Sequence, residues 1–204
     1  MPYDRDVAAF DARAPEYEHG WLGRLHHGIS EQTIEIALAL NAAPQRILDV
    51  GCGTGYLLRE LASRAPTAEQ LVGIDPAGGM VHAAKRATSD GRIEFDTGVA
   101  ERLPFADGAF DLVVTTTSFD HWADQRAGLE ECARVLAAGG HFVLADQLSL
   151  WLLPTILTVR RGRARTLGRA AVLIEAVGLR VVARHKMYVL VQGISARKPP
   201  DARR

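Results

Sequence analysis

The stretch Arg46-Ile47-Leu48-Asp49-Val50-Gly51-Cys52-Gly53-Thr54-Gly55-Tyr56 leaves this chain few ways to fold. An apolar run, Ile47, Leu48 and Val50, passes directly into glycines at alternate positions, and the helix-forming residues Leu57, Leu58, Arg59, Glu60 and Leu61 follow at once. The pattern reads as a buried strand, a tight loop and a helix, the unit from which α/β domains are built. Glycine lacks a Cβ, so such a loop can take positive φ and let a ligand lie against its backbone. The loop also delivers that ligand to the first turn of the helix, where unpaired N–H groups favour a carboxylate or a phosphate.

Spacing narrows the ligand. A dinucleotide-binding turn needs Gly-x-Gly-x-x-Gly, and counting from Gly51 puts Tyr56 at the third glycine. That opposes a nicotinamide oxidoreductase. The pattern present is Asp-x-Gly-x-Gly-x-Gly, from Asp49 to Gly55, and it resembles motif I of the class I S-adenosylmethionine-dependent methyltransferases. Leu71-Val72-Gly73-Ile74-Asp75 then reads as a short buried strand ending in a carboxylate. Asp75 stands 20 residues beyond Gly55 (75 − 55), the separation at which doubly wound nucleotide sites place an acid on the ribose hydroxyls. Taken alone, Asp75 would equally suit a helix N-cap.

The resemblance runs from about residue 45 to 195, and S-adenosylmethionine is the cofactor it implies. The implied fold is a Rossmann-like doubly wound α/β sheet of seven strands, mostly parallel with a C-terminal antiparallel hairpin, in a three-layer α/β/α arrangement. Asp49, Gly51, Cys52, Gly53 and Gly55 would form the cofactor loop, Asp75 would accept hydrogen bonds from both ribose hydroxyls, and Pro76 with Met80 would flank the adenine. Gly98-Val99-Ala100-Glu101-Arg102-Leu103-Pro104-Phe105 resembles the loop that covers the adenine, with Val99, Ala100 and Glu101 as cofactor contacts and the Ala100 N–H reaching a ring nitrogen. Val99 is a departure, because the family often has an Asp there that caps the adenine amino group. Thr116, among the small hydroxyls that end the fourth strand, would lie beside the methyl donor, and Tyr17 looks like the tyrosine of an N-terminal lid.

A chain of 204 residues fits one domain. Lys plus Arg and Asp plus Glu are 24 each, so no overall basic field recruits nucleic acid, and a small-molecule acceptor is favoured. The polar, acidic start does not resemble a secretory signal. The longest apolar stretch, Leu148 to Val159, is 12 residues and holds Pro154, too short for the ~20 residues of a membrane span. A cytoplasmic location is expected. Cys52 and Cys132 form no CxxC pair, which gives no sign of a metal site or a disulfide framework.

Residues 1–43 read as a helical lid segment, with Ser30 and Thr33 as N-caps of a helix bearing Ile34 and Leu38. His26 and His27 are neighbours, diverge by ~100° on a helix, and are not expected to face one site. The methyltransferase domain is expected over 44–196, with 147–166 as an acceptor-side insertion and 197–204 as a disordered tail. Leu129, Cys132, Ala133 and Leu136 form a core stripe, Glu130 and Arg134 an exposed i,i+4 pair, and Gly139-Gly140 ends that helix in a left-handed turn. Greasy residues 148–157 lead into Arg160, Arg161, Arg163 and Arg165. The stretch hints at a hydrophobic acceptor and leaves peripheral membrane contact through 148–165 open. Runs over 179–183 and 187–195 pair as a hairpin.

If the resemblance holds, the reaction is an in-line methyl transfer whose main demand is alignment of donor and acceptor. His121 is then the candidate general base, needed only if the acceptor must lose a proton. The alternative from another class is a non-catalytic module that binds S-adenosylmethionine and acts on a partner. A monomer or a homodimer fits either reading.

Overall fold

The computed structural model describes residues 2–18, 20–148, 166–188 and 190–200. Seven strands form one sheet: β1 Arg46–Val50, β2 Gln70–Asp75, β3 Ile93–Thr97, β4 Phe110–Thr116, β5 Leu136–Asp146, β6 Arg180–Lys186 and β7 Gln192–Arg197. Their order is β3-β2-β1-β4-β5-β7-β6. The first five are parallel, β7 is antiparallel to β5, and β6 is antiparallel to β7. The expected topology is present. Strand order reverses between β1 and β4, and their carboxyl ends open the crevice in which open α/β sheets bind ligands.

Helices cover both faces. α1 Pro2–Arg13, α2 Gly20–Leu40, α3 Tyr56–Arg64, α4 Gly78–Ala87, α5 Gln125–Val135 and α6 Leu167–Ala176 are present among the described residues. Successive strand side chains point to opposite faces, which divides the core in two. Leu48, Val50, Val72, Ile74, Val113, Phe142 and Leu144 pack with Leu129 and Cys132 of α5 and Ala170 and Ile174 of α6. Ile47, Leu71, Leu112, Val114 and Val143 pack with Ile34 of α2, Leu58 and Leu61 of α3, and Val81 and Ala84 of α4.

Several local expectations are corrected. α2 runs unbroken from Gly20, so Ser30 and Thr33 are interior; Thr33 satisfies its hydroxyl by donating to the Ile29 carbonyl at 2.9 Å. α5 is capped by Asp124, whose carboxylate accepts from the N–H groups of Arg126 and Ala127. That helix stops at Val135 and the chain is already β5 at Leu136, so Gly139 (φ 79) lies within the strand. Pairing pulls the chain out of the helix early: Leu136 is in register with Phe110 of β4, ahead of a bulge. Glu130 pairs with Arg126, while Arg134 turns to Glu131 and Asp107. The hairpin strands start and end one to five residues later than the apolar runs suggest, at 180–186 and 192–197. Lys198, assigned to the tail, is held in place: its ammonium donates to the carbonyls of Ala133 at 2.8 Å and Leu136 at 2.7 Å. The apolar and arginine-rich insertion, apart from buried Leu148, lies outside the described residues. No helix among the described residues is long and apolar enough to cross a membrane.

Candidate active site

A two-chambered cleft occupies the strand switch point. The outer chamber is lined by the ends of β1, β2 and β4 (Val50, Gly51, Asp75, Thr116), by Pro76 and Met80, by Gly98, Ala100 and Glu101, and by Val7 and Phe10 of α1. The inner chamber lies between the glycine loop and α2 and is lined by Asp49, Cys52, Gly53, Thr54, Tyr56, His26, His27 and Ser30. Tyr17, Gly51, Gly53, Thr116 and Thr117 line both.

The glycine loop owes its shape to three left-handed residues, Gly51 (φ 80), Gly53 (φ 54) and Gly55 (φ 79). A Cβ on Gly51 would lie 2.3 Å from both Cβ and Oγ of Ser118. Ser118 cannot yield readily, because its hydroxyl donates to the Val50 carbonyl at 2.9 Å and lies 2.7 Å from Thr115 Oγ1. Gly55 serves a different purpose from the one its motif position implies. It lines neither chamber, and a Cβ there would meet the Phe95 ring at 2.5 Å, so it lets α3 start close against β3.

Asp75 ends β2 almost buried, its Oδ2 accepting from Gly53 N–H at 2.9 Å and its Oδ1 from Ala77 N–H at 2.9 Å. Burial raises its pKa, and the two backbone donors oppose that shift. Asp49 lies deeper. Burial, with Asp75 adding to it, pushes its carboxyl up to about 8, and its Oδ1 has no hydrogen-bond partner among the described residues. Thr116 Oγ1 is likewise buried and unpartnered there. Buried polar atoms are rarely left unsatisfied. Two unpartnered buried oxygens that face the chambers, on Asp49 and Thr116, fit a ligand that brings its own polar groups, such as the ammonium and hydroxyls of S-adenosylmethionine.

The N-terminal segment covers the cleft. Val7, Phe10, Ala14 and Tyr17 pack on Ala77 and Met80, and Asp11 Oδ1 accepts from Gly79 N–H at 2.7 Å, which docks α1 on the first turn of α4. Glu18 ties the same segment to the glycine loop and α3. Arg59 donates to its Oε1 at 2.8 Å and to the Thr54 carbonyl at 2.6 Å. Burial alone would raise the Glu18 pKa, yet Thr54, Arg59 and His27 hold it below the usual carboxylate range. Tyr17 is pushed up to about 12 by burial and then by Asp75, so its hydroxyl stays protonated.

Three other residues sit differently from expectation. Val99 lies outside the cleft, in a shallow depression with Val7, Ala8 and Pro76. His26 and His27 both line the inner chamber: α2 passes over it, so neighbouring side chains reach it from two sides. His27 stacks on Tyr56 at 3.7 Å between ring centres, and the His26 ring is 5.1 Å from that of Tyr17. His121 lines the outer chamber, edge-on to Phe10 at 5.1 Å. Val7, Phe10 and His26 carry no site signal in the sequence, since only the packing of α1 and α2 over the strand ends brings them there, while Ser118 and Trp122 reach the cleft from the turn that follows β4.

A mixed sheet with this strand order, a glycine loop after β1 and an acid ending β2 defines the class I methyltransferase domain. Residues 48–144 match the family described as a methyltransferase domain. Over 144 residues the chain is 36% identical to the ubiquinone/menaquinone biosynthesis C-methyltransferase of Geotalea daltonii, covering 67% of this chain and 60% of that protein. Over 113 residues it is 44% identical to the demethylmenaquinone methyltransferase of Thermus thermophilus, covering 54% and 51%. The chain thus spans about half to three fifths of the length of these curated relatives. Among solved structures, the Haloferax volcanii complex of the Trm112 methyltransferase activator with its methyltransferase matches at TM-score 0.81, 20% identity and 93% and 97% coverage. A S-adenosylmethionine-dependent methyltransferase of Aquifex aeolicus matches at TM-score 0.73, 18% identity and 92% and 98% coverage. Residues 48–144 of this chain are thus a methyltransferase domain of the class I S-adenosylmethionine-dependent kind.

Proposed function

We propose that this protein transfers a methyl group from S-adenosylmethionine to a small hydrophobic acceptor. The observation that carries the reading is Asp75: a nearly buried carboxylate ending β2, fixed by two backbone donors and turned to the cleft that the glycine loop borders. In this reading Asp75 takes the ribose hydroxyls, and Pro76, Met80 and Ala100 enclose the adenine. Glu101 lines the same end, with its carboxylate accepting from Asp124 N–H at 2.9 Å. Gly51, Cys52 and Gly53 supply the floor, Asp49 and Thr116 take the polar groups of the amino-acid end, and Tyr17 closes the lid over both chambers.

The bound cofactor supplies an electrophilic methyl group whose leaving thioether is neutral. The residues therefore mainly hold the acceptor in line and exclude water, a proximity effect. The inner chamber is rimmed by the rings of Tyr17, His26, His27 and Tyr56, which suits a flat, conjugated acceptor. Relatives named for demethylmenaquinone methylation favour a hydroquinone ring as its class. We further infer a lid over 1–43 and a domain over 44–196 with 147–166 on the acceptor side. The reading includes a cytoplasmic monomer or homodimer, with 148–165 available for peripheral membrane contact.

Calorimetric titration with S-adenosylmethionine, its demethylated product and NAD tests the cofactor reading. Micromolar binding of the first two and none of NAD is expected. A folded sample that binds neither adenosyl compound overturns it. Methyl transfer to 1,4-naphthohydroquinone then tests the acceptor class.

A further inference from the structure

We propose that His26 is the catalytic residue that receives the acceptor's proton, with Thr117 as the positioning residue that orients its ring. This rests on the methyltransferase reading above and names the base that reading lacks.

Two independent observations meet at this point of the cleft. His26 is half-buried on the inner chamber, and its Nδ1 lies 3.4 Å from Thr117 Oγ1. That is long for a hydrogen bond, as catalytic contacts often are before ligands bind. Thr117 is itself unusual. It is the only non-glycine residue of positive φ among the described residues, at 51°. Left-handed backbone is unfavourable for a β-branched residue and persists only where its surroundings enforce it. The enforcement here is a strand contact, Thr117 N–H donating to the Ala145 carbonyl at 2.8 Å. The strain falls at the carboxyl end of β4, where both chambers meet.

The other titratable groups lining the inner chamber are Tyr17, Glu18, His27, Asp49, Tyr56 and Cys52, whose thiol burial pushes well up. Each has another task or the wrong proton affinity. Tyr17 and Tyr56 are both pushed up to about 12, Glu18 is engaged by Arg59, His27 is stacked flat on Tyr56, and Asp49 faces the position assigned above to the cofactor ammonium. His121 lines only the outer chamber. Burial and the neighbouring His27 hold His26 below the usual histidine range, which keeps it neutral and able to accept. With Nδ1–H donating to Thr117, Nε2 is left with its lone pair. In the step, an acceptor carbon or oxygen forms its bond to the methyl carbon, the sulfonium bond breaks with its electrons remaining on sulfur, and the acceptor's proton passes to His26 Nε2.

The test uses the full chain with S-adenosylmethionine and 1,4-naphthohydroquinone. His26→Asn, which retains a donor near the Nδ1 position, is expected to lower kcat at least ~100-fold and abolish its acidic limb, while S-adenosylmethionine affinity by calorimetry stays within about twofold. Thr117→Ala is expected to lower kcat about tenfold at unchanged cofactor affinity, and nitrogen chemical shifts of the His26 ring should report loss of the Nδ1–H tautomer. His26→Asn that keeps kcat and the acidic limb overturns the role of His26 alone. If His26→Asn does not fold, the wild-type ring shifts decide: an Nε2–H tautomer overturns the proposal. Wild type that binds S-adenosylmethionine and leaves the hydroquinone unmethylated overturns the acceptor class and this step with it.

Discussion

The N–H of Gly53 donates to Oδ2 of Asp75 at 2.9 Å, so the loop after the first strand hangs on the carboxylate that ends the second. The two motif residues lie 22 positions apart in the chain and form one unit. The carboxylate shapes the loop on one side and keeps lone pairs for a ligand on the other, so cofactor affinity and loop order are coupled.

Asp75→Ala is therefore expected to weaken S-adenosylmethionine binding at least tenfold, about 1.4 kcal/mol, and to increase amide exchange at Gly53 and Ala77. Asp75→Asn should show an intermediate loss. Calorimetry and hydrogen exchange on the same samples separate the two effects. An Asp75→Ala protein with unchanged affinity would remove the ribose assignment.

Asp49 gives a pH signature. Its folded-state pKa of about 8 lies above its unfolded value, so between roughly pH 4 and 8 the folded protein holds a proton that the unfolded chain has lost. Its contribution to stability is therefore largest at low pH and declines as pH rises through 8. Asp146, raised to about 6 by burial, acts in the same direction but finishes lower. In the cofactor-free protein, Asp49→Asn should raise Tm by at least about 3 °C at pH 8, on the order of 1 kcal/mol, with a smaller effect at pH 5. Cofactor binding near pH 7 should release a proton from Asp49, visible as a buffer-dependent enthalpy that the Asn variant lacks.

Gly51→Ala combines a left-handed backbone, which costs a non-glycine residue about 1–2 kcal/mol, with a Cβ placed 2.3 Å from Ser118. We expect at least ~2 kcal/mol lower stability and no measurable cofactor binding. Adding Ser118→Gly should recover part of the stability, leaving the backbone cost. Chemical denaturation of the single and double variants reads both terms.

Arg134 fastens the loop that carries Ala100 and Glu101. Its guanidinium donates to the carbonyls of Leu103 at 3.0 Å and Phe105 at 2.7 Å and pairs with Glu131 and Asp107. The Asp107 partner is exposed, so the backbone contacts should dominate. Arg134→Met is expected to cost about 1–2 kcal/mol and to weaken S-adenosylmethionine binding severalfold, while binding of methionine alone stays unchanged. Equal weakening of both ligands would show that the adenine side is not where the residue acts.

The fold was legible because its signals are local. The strand–glycine–helix run at 47–61, the strand ending in Asp75 and the C-terminal hairpin each follow from periodicity and turn chemistry within a few residues. The helix ends were harder. Gly139 looks like a helix stop because left-handed glycines usually are, but competition from β4 ends α5 at Val135 and carries the glycine into a strand. Arg134 was assigned to Glu130 by spacing, whereas the tertiary fold offered it two carbonyls and a nearer carboxylate on Glu131.

At the site, sequence alone determined the residues whose roles depend on backbone shape or strand position: Gly51, Gly53 and Asp75. Their chemistry is dictated by where a strand ends and which way a loop can turn. Tertiary structure alone decided what covers them. The glycine at 55 faces Phe95 instead of a ligand, Val99 lies outside the cleft, and adjacent His26 and His27 reach one chamber because α2 crosses above it. Helix periodicity fixes the angle between two side chains, but where that helix lies on the sheet depends on packing between residues far apart in the chain, such as Ile34 against Leu58 and Val143.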